Sequence, residues 1–486
     1  MKILIASVFG FNSYSRGIMP DVLQSVLDKN PEADVYYLTN SQSFKLCYFN
    51  LEKNPANCYR CKTGIKNALE LIDGKFTHLH INHIVSKEDL KRAANFFAGK
   101  EIINLDQKFE EFEVGEATLS TYISRTRDRE LIYVQQDFVK ELATNAVALY
   151  LGMKRFLKEY KINVVYNFNG RQDYVRAIFK AALACNLDCY NVEQARPGGY
   201  LEFFKNVLTH NISAKKDLID SCWENSSLSH EEKIEIGKKF FKKQRSGSSV
   251  IFPSHIKNQT SKLLPLNISE GKENIVLYTS SDDEFAALGE DFNNPLFKDQ
   301  FAGIHFLVEL IGKKFPEKKF YIRMHPNLYG LQFDYVQSIR DLNGKYPNIF
   351  LIYPEDKIDS YALMDKASKI ITFGSTIGLE ATFYQKPSIL LGKSFFYYSD
   401  VTYTLKSKDE IESLLRKPLI AKSKISALRF GFYYLQGGKK AKYYSQDKVM
   451  GEVILKGKKI PTLSLKDRII IQLLNKAYNI FNTERD

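Results

Sequence analysis

Short apolar runs alternate along this chain with segments whose apolar residues recur near every 3.6 positions. Such alternation of buried strand and amphipathic helix builds parallel α/β sheets. The first half reads as a strand from Lys2 to Val8, a polar loop from Gly10 to Gly17, a helix from Met19 to Leu27 and a strand from Val35 to Leu38. Residues from about Glu130 to Tyr160 are helical, with Phe138, Leu142, Ala146, Leu149, Tyr150 and Met153 on one face. A strand from Val164 to Phe168, the loop Asn169-Gly170-Arg171, a helix from Tyr174 to Leu183 and a strand from Cys189 to Glu193 follow, then a charged helix over Ser229 to Lys243.

The pattern breaks at Gln244-Arg245-Ser246-Gly247-Ser248-Ser249 and stays polar through Gly271. Polar glycine-serine stretches join domains, so a linker is expected at 244–271 between a first domain, 1–243, and a second, 272–430. The second restarts with the strand Asn274 to Tyr278, the loop Thr279 to Glu284, a helix from Gln300 and the strand Lys319 to Arg323, which Pro326 stops. A strand Asn348 to Ile352 and a helix Asp359 to Ala367 lead to the most informative stretch, Ile370 to Gly392. There an apolar run breaks at Gly374-Ser375-Thr376, a helix opens with Glu380 about one turn in, and a second apolar run starts after Pro387. Gly374 permits a sharp turn, Ser375 or Thr376 can cap the helix, and its free N–H groups with the helix dipole then make an anion site. Glu380 is placed to accept hydrogen bonds from sugar hydroxyls. An ordinary capped crossover helix gives the same pattern, so the stretch alone names no reaction.

The remainder, 431–486, is a basic tail with an aromatic tract from Tyr433 to Tyr444 and a last amphipathic helix from Lys466 to Phe481. Its stripe of Ile469, Ile470, Leu473, Leu474, Ala477 and Ile480 is expected to pack back on the protein, with a membrane surface as the alternative partner.

Composition narrows the picture. A chain of 486 residues suggests two or three domains, and none of its apolar runs reaches the ~20 residues of a membrane-spanning helix. The formal charge of +13 favours anionic partners, but no nucleic-acid recognition module accompanies it. Met1 to Gly10 reads as a buried strand rather than an export signal, since bulky Phe9 and Phe11 sit where small cleavage-site residues belong, which sets the expected location as cytoplasmic. Six cysteines do not suggest a disulfide framework. Cys58 and Cys61 with His78, His80 and His83 raise a zinc question, but a second tight ligand pair is missing, so no metal site is expected. No helix start is read around Cys58 and Cys61, which argues against a redox pair. Cys185 and Cys189 read as core thiols.

Polar residues at strand ends supply the candidate chemistry, because ligands of open α/β sheets bind there. In the first half these are Asn12 after the first strand, and Asn169, Arg171 and Glu193 along one sheet edge, with Arg171 as an anion clamp and Glu193 as a base. A structural Arg–Glu pair is the alternative. In the second half Arg323 and His325 leave one strand, and an imidazole with a guanidinium there can neutralise a diphosphate leaving group; the Ser375 loop is expected on a neighbouring strand.

With these residues in place, the chain resembles the GT-B glycosyltransferases of bacterial surface and capsular polysaccharide synthesis. Arg323-Met324-His325-Pro326 is similar to their histidine-proline motif and Gly374 to Ala381 to their phosphate and ribose loop, while Asn169-Gly170-Arg171 with Glu193 is similar to a loop pair of some members. The resemblance implies two Rossmann-like α/β domains facing each other across a cleft. It implies donor binding by Arg323, His325, Ser375, Thr376 and Glu380, and an acceptor side at Asn12, Asn169 and Arg171. Asp282 or Asp283 matches an acidic motif that supplies the base in related transferases, but Glu284 and Phe285 replace its glycine, so the base stays open among Asp282, Asp283 and Glu193. The implied reaction moves a sugar from a nucleotide-activated donor to a growing glycan or lipid-linked acceptor. It needs neither cofactor nor metal, and is placed in the cytoplasm or at the inner face of the membrane. A teichoic-acid-type polyol-phosphate transferase, a non-catalytic glycan- or nucleic-acid-binding protein and a nucleotide-sugar epimerase are the alternatives.

Overall fold

The computed structural model describes residues 1–9, 13–40, 42–100, 103–129, 136–195, 198–248, 258–268, 273–281, 287–446, 452–460 and 463–483. The chain divides into two compact units, Met1–His210 with Gly438–Asp486, and Asn211–Gly437. Each is built on a mainly parallel sheet, as the alternating pattern requires.

In the first unit the strands are β1 (Lys2–Ala6), β2 (Asp34–Thr39), β3 (Thr77–His80), β4 (Val164–Phe168), β5 (Asp188–Gln194) and β6 (Tyr200–Lys205). They lie in the order β3-β2-β1-β4-β5-β6, parallel up to β5, with β6 antiparallel to it. Ile3, Leu4, Ile5 and Ala6 of β1 are all buried, which marks a central strand covered on both faces.

The second unit carries β7 (Asn274–Tyr278), β8 (Lys319–Arg323), β9 (Ile349–Ile352), β10 (Lys369–Thr372), β11 (Ser388–Leu390) and β12 (Tyr403–Thr404). Their order is β9-β8-β7-β10-β11-β12, parallel throughout. In both units the first strand sits centrally between the second and the fourth, the 3-2-1-4-5-6 order of the Rossmann fold. The chain thus has the two Rossmann-like units of a GT-B architecture.

Where the units divide differs from the expected 244–271. The helices Ile212–Glu224 and His230–Arg245 belong to the second unit, where they pack on the helix Lys424–Gln436. Trp223 meets Phe432 edge-on at 5.4 Å, Phe240 stacks on Tyr434 at 5.4 Å and Phe241 on Phe383 at 4.2 Å. Two glycines let the helices close up, since a Cβ on Gly431 would sit 2.5 Å from the carbonyl of Gly237. Of the supposed linker, 249–257 and 269–272 lie outside the described residues. Between them, the amide of Thr260 donates to the Lys357 carbonyl (2.8 Å) and the amide of Ser360 to Gln259 Oε1 (2.9 Å), which ties this segment to the second unit.

The tail is not a separate extension either. β13 (Lys439–Lys440) pairs with β6, and β14 (Tyr444–Gln446), β15 (Val453–Leu455) and β16 (Lys458–Lys459) form a small antiparallel sheet. Tyr444, Val453 and Leu455 join the core of the first unit beside Ile18, Met19 and Val22 of the helix Ser13–Lys29. Gly17 permits the approach, because a Cβ there would lie 2.5 Å from the Tyr444 ring.

The last helix, Leu465–Thr483, docks on the helix Pro55–Leu69 through buried Ile471 and hydrogen bonds from Tyr59 to Asp467 and Asn54 to Asn475. It packs back as expected, with Ile470 and Leu474 of the expected stripe half-buried and the rest of that stripe exposed. Ile469, Leu473 and Ile480 are 49%, 62% and 50% exposed. Among the described residues no helix is long and apolar enough to cross a membrane.

Candidate functional site

A sheet with this strand order has a switch point between its first and fourth strands, where consecutive loops leave in opposite directions and open a crevice. In the second unit that point lies between β7 and β10. Tyr278 is in register with Arg323 on one side and Thr372 on the other, so the loops after β7, β8 and β10 leave the sheet side by side. His325 and Ser375 therefore flank the β7 loop, Thr279-Ser280-Ser281, rather than sitting on neighbouring strands as expected.

His325 is fixed at two points. Its amide donates to Thr279 Oγ1 (2.8 Å), and its Nδ1 accepts from the amide of Asn327 (3.1 Å) as Pro326–Leu328 turns. An imidazole that accepts at Nδ1 carries a proton on Nε2. Ser280 is held by the Gln300 side chain, which accepts from the Ser280 amide (3.0 Å) and donates to its carbonyl (3.1 Å).

On the other side of β7 the helix Ile377–Phe383 begins after Gly374-Ser375-Thr376. Thr376 occupies the cap position in helical conformation and makes no side-chain cap bond; its hydroxyl bonds the Glu380 carboxyl instead. The amides of Ser375, Thr376 and Ile377 donate to none of the described residues. Gly378 holds this helix against the sheet, since a Cβ there would lie 2.9 Å from Thr372 Oγ1.

Two of the expected donor ligands are engaged elsewhere. Arg323 is 3% exposed, and its guanidinium donates to the carbonyls of Tyr353 and Asp356, tying down the loop after β9. Burial pushes its pKa down. Glu380 is 5% exposed and accepts a hydrogen bond from the Tyr361 hydroxyl. Burial pushes this carboxyl up to about 7, against the opposing pull of the Tyr361 and Thr376 hydroxyls and Arg245. Arg245 lies over the rings of Tyr361 and Tyr384 and pairs with Asp365. Asp282 and Asp283 lie outside the described residues, as does Asn12 of the first unit.

Sequence reading missed Thr279, Gln300 and Tyr361, whose partners lie 46, 20 and 19 positions away along the chain. It also missed Lys393, which follows β11 at the same sheet edge. Gly392 packs so closely there that a Cβ would sit 2.1 Å from the Phe373 carbonyl, and Lys393 Nζ lies 4.0 Å from the centre of the Tyr397 ring. A cation one strand from an anion-suited loop was the available signal.

The equivalent switch point of the first unit lies between β1 and β4. Asn169 and Gly170 both take left-handed backbone, with φ of 61° and 84°. Asn169 donates to Glu193, accepts from the Arg171 amide (3.0 Å) and, through its carbonyl, accepts from Thr209 (3.2 Å). So Asn169 and Glu193 meet as expected. Arg171 meets Asn169 through its backbone amide, whereas its side chain is 7% exposed and donates through Nε to Ser120 (2.8 Å).

The cysteine and histidine cluster is resolved separately. Cys58 and Cys61 lie on the helix Pro55–Leu69, which Asn54 caps from Oδ1 and Pro55 starts, so the helix-start signal read as missing is present. With Cys47 they line a pocket beside Val8, Phe9 and Asn50, and all six cysteines are free thiols. Thr39 Oγ1 lies 3.0 Å from both His78 Nε2 and His80 Nδ1, and burial pushes His78 down to about 4. Among the described residues no group of three or more His, Cys, Asp or Glu is arranged to hold a metal ion.

Comparison with solved structures returns distant similarities. A β-Kdo 2,4-transferase, KpsC of Thermosulfurimonas dismutans, is 14% identical, with 64% of this chain and 87% of that one covered at a TM-score of 0.37. UDP-GlcNAc 2-epimerase of Neisseria meningitidis is 13% identical over 98% of this chain and 100% of that one, TM-score 0.23. The glycosyltransferase SnogD of Streptomyces nogalater is 10% identical over 90% and 94%, TM-score 0.21. These scores are too low to argue from, and the fold rests on the strand orders. No curated protein matches the chain significantly. Residues 271–425, which contain the whole sheet of the second unit, match the sequence family described as capsule polysaccharide biosynthesis protein.

Proposed function

We propose that this protein is a glycosyltransferase of surface-polysaccharide synthesis that takes its sugar from a nucleotide-activated donor held at the strand ends of the second unit. The observation that carries this reading is the placement of His325 and of the amides of Ser375, Thr376 and Ile377, which donate to none of the described residues, on either side of Thr279 to Ser281. They lie within the segment that matches the capsule family.

Donors of that kind suit a diphosphate. As the bond from the sugar to its phosphate breaks, negative charge gathers on the departing oxygen, and fixed N–H groups stabilise it without reorganising. Arg323 acts indirectly here, by holding the loop after β9. If the anomeric centre inverts, a carboxylate must take the acceptor proton, and Glu193, Asp282 and Asp283 remain the candidates.

Thermal-shift measurements with UDP-, GDP-, CMP- and CDP-linked sugars test the proposal, since a ligand bound only by the native state raises Tm. Stabilisation by at least one nucleotide-sugar, lost in His325→Ala, is the expected result. A response to CDP-glycerol alone would replace it with polyol-phosphate transfer. Indifference to every nucleotide would refute enzymatic nucleotide-sugar use and leave a binding protein.

A further inference from the structure

The helix Leu465–Thr483 has two sides of different kind. Toward the protein it presents Ile471, which is buried, and Asp467, Asn475 and Tyr478, which bond to Tyr59, Asn54 and the Glu52 carbonyl. Away from the protein it presents Leu465, Ile469 and Leu473, 76%, 49% and 62% exposed, at the four-residue spacing that stacks side chains on one helix face. Lys466, Arg468, Gln472 and Lys476 are exposed around them.

The charges choose the occupant of that face. Asp467 is the one acid among residues 465–483, and it is turned inward, accepting from Tyr59 (2.9 Å) and from the Ser464 hydroxyl (2.6 Å) and amide (2.9 Å). What remains outside is apolar and cationic. The supporting helix adds exposed Lys62, while its Lys66 pairs with Glu70 (3.8 Å). A second copy docking face to face would bring like charges together, which is penalised. An anionic headgroup layer over acyl chains complements both features: leucine and isoleucine enter the boundary while lysine stems run along it and put their ammonium groups among the phosphates.

We propose that the outward face of the helix Leu465–Thr483 docks this protein on an anionic lipid bilayer. The helix lies in the plane of the headgroups, with Leu465, Ile469 and Leu473 at the acyl boundary and Lys466, Arg468 and Lys476 among the lipid phosphates.

Co-sedimentation of the full chain with phosphatidylcholine vesicles, with and without phosphatidylglycerol, tests it. The wild type is expected to sediment with the anionic vesicles only, and less as salt rises, because screening weakens the attraction. Ile469→Asp combined with Leu473→Asp should reduce the bound fraction at least tenfold with an unchanged melting curve, since both side chains are solvent-exposed. Lys466→Gln, Arg468→Gln and Lys476→Gln together should abolish the preference for phosphatidylglycerol, whereas Leu105→Asp, at another exposed apolar position, should change nothing. Equal sedimentation of the aspartate variant, or a wild type that ignores anionic vesicles, would overturn the proposal. So would a wild type that dimerises in analytical ultracentrifugation where the aspartate variant does not. None of these readouts depends on transferase activity.

Discussion

The two units share a strand order and differ in what their switch points have left to offer. In the first, the polar groups bond one another: Asn167 to Asn191 (2.8 Å), Asn169 to Glu193, Arg171 to Ser120, and Arg176 to the Gly170 carbonyl (3.1 Å). In the second, the amides of Ser375, Thr376 and Ile377 donate to none of the described residues, although the framework around them is similar. Topology supplies the place for a ligand, and the local hydrogen-bond balance decides whether the place is ready for an anion. Both units also bury a carboxyl at the helix after their fourth strand, Asp173 and Glu380, and in both cases burial pushes it up to about 7.

That shared feature should give the largest effect. A carboxyl whose folded pKa exceeds its unfolded value binds more protons in the native state, so its stabilisation is complete below the unfolded pKa near 4 and is lost as pH rises to about 7. At one pKa unit per 1.36 kcal/mol, the sites cost about 3 kcal/mol (Glu380) and about 4 kcal/mol (Asp173) at pH 8 relative to pH 4. Glu380→Gln and Asp173→Asn should each be more stable than wild type at pH 8 and close to it at pH 4 in urea titrations. If neither variant alters the pH profile, the two helices do not share this property.

The units should separate next. His325→Ala is expected to cost about 2 kcal/mol of nucleotide-sugar affinity in calorimetry, the range for a hydrogen bond to a charged group, while Asn169→Ala leaves that affinity unchanged. Equal losses would erase the distinction between a donor site and a bonded framework. Asn167→Ala should act on stability instead, by about 1 to 2 kcal/mol, because it leaves buried Asn191 Oδ1 without its partner. The smallest change is expected from Thr376→Ala, below about 1 kcal/mol in donor affinity, since that hydroxyl serves Glu380 rather than the loop amides.

Much of the second sheet was legible because its strands are short apolar runs closed by Gly, Pro or hydroxyl residues. Lys319 to Arg323 and Asn274 to Tyr278 were bounded correctly for that reason. What failed was everything set by contact between distant segments. The charged helix over Ser229 to Lys243 reads as the end of the first domain, yet Phe240 and Phe241 bury against Tyr434 and Phe383 of the second unit, about 190 and 140 positions further on. Arg323 was read as a ligand because nothing in the sequence reveals that the carbonyls of Tyr353 and Asp356 will meet it. The Asn54-Pro55 start of the helix carrying Cys58 was a local signal and could have been found.

The return of residues 438–486 to the first unit means that the second unit is inserted within the first. During synthesis on the ribosome, residues 211–437 can complete their own sheet as soon as they emerge. The opening 210 residues must wait. Until Tyr444, Val453 and Leu455 have been made, the surface around Ile18, Met19 and Val22 stays uncovered. A chain that stops before Leu455 would therefore keep a sticky, unfinished first unit and give an aggregation-prone product.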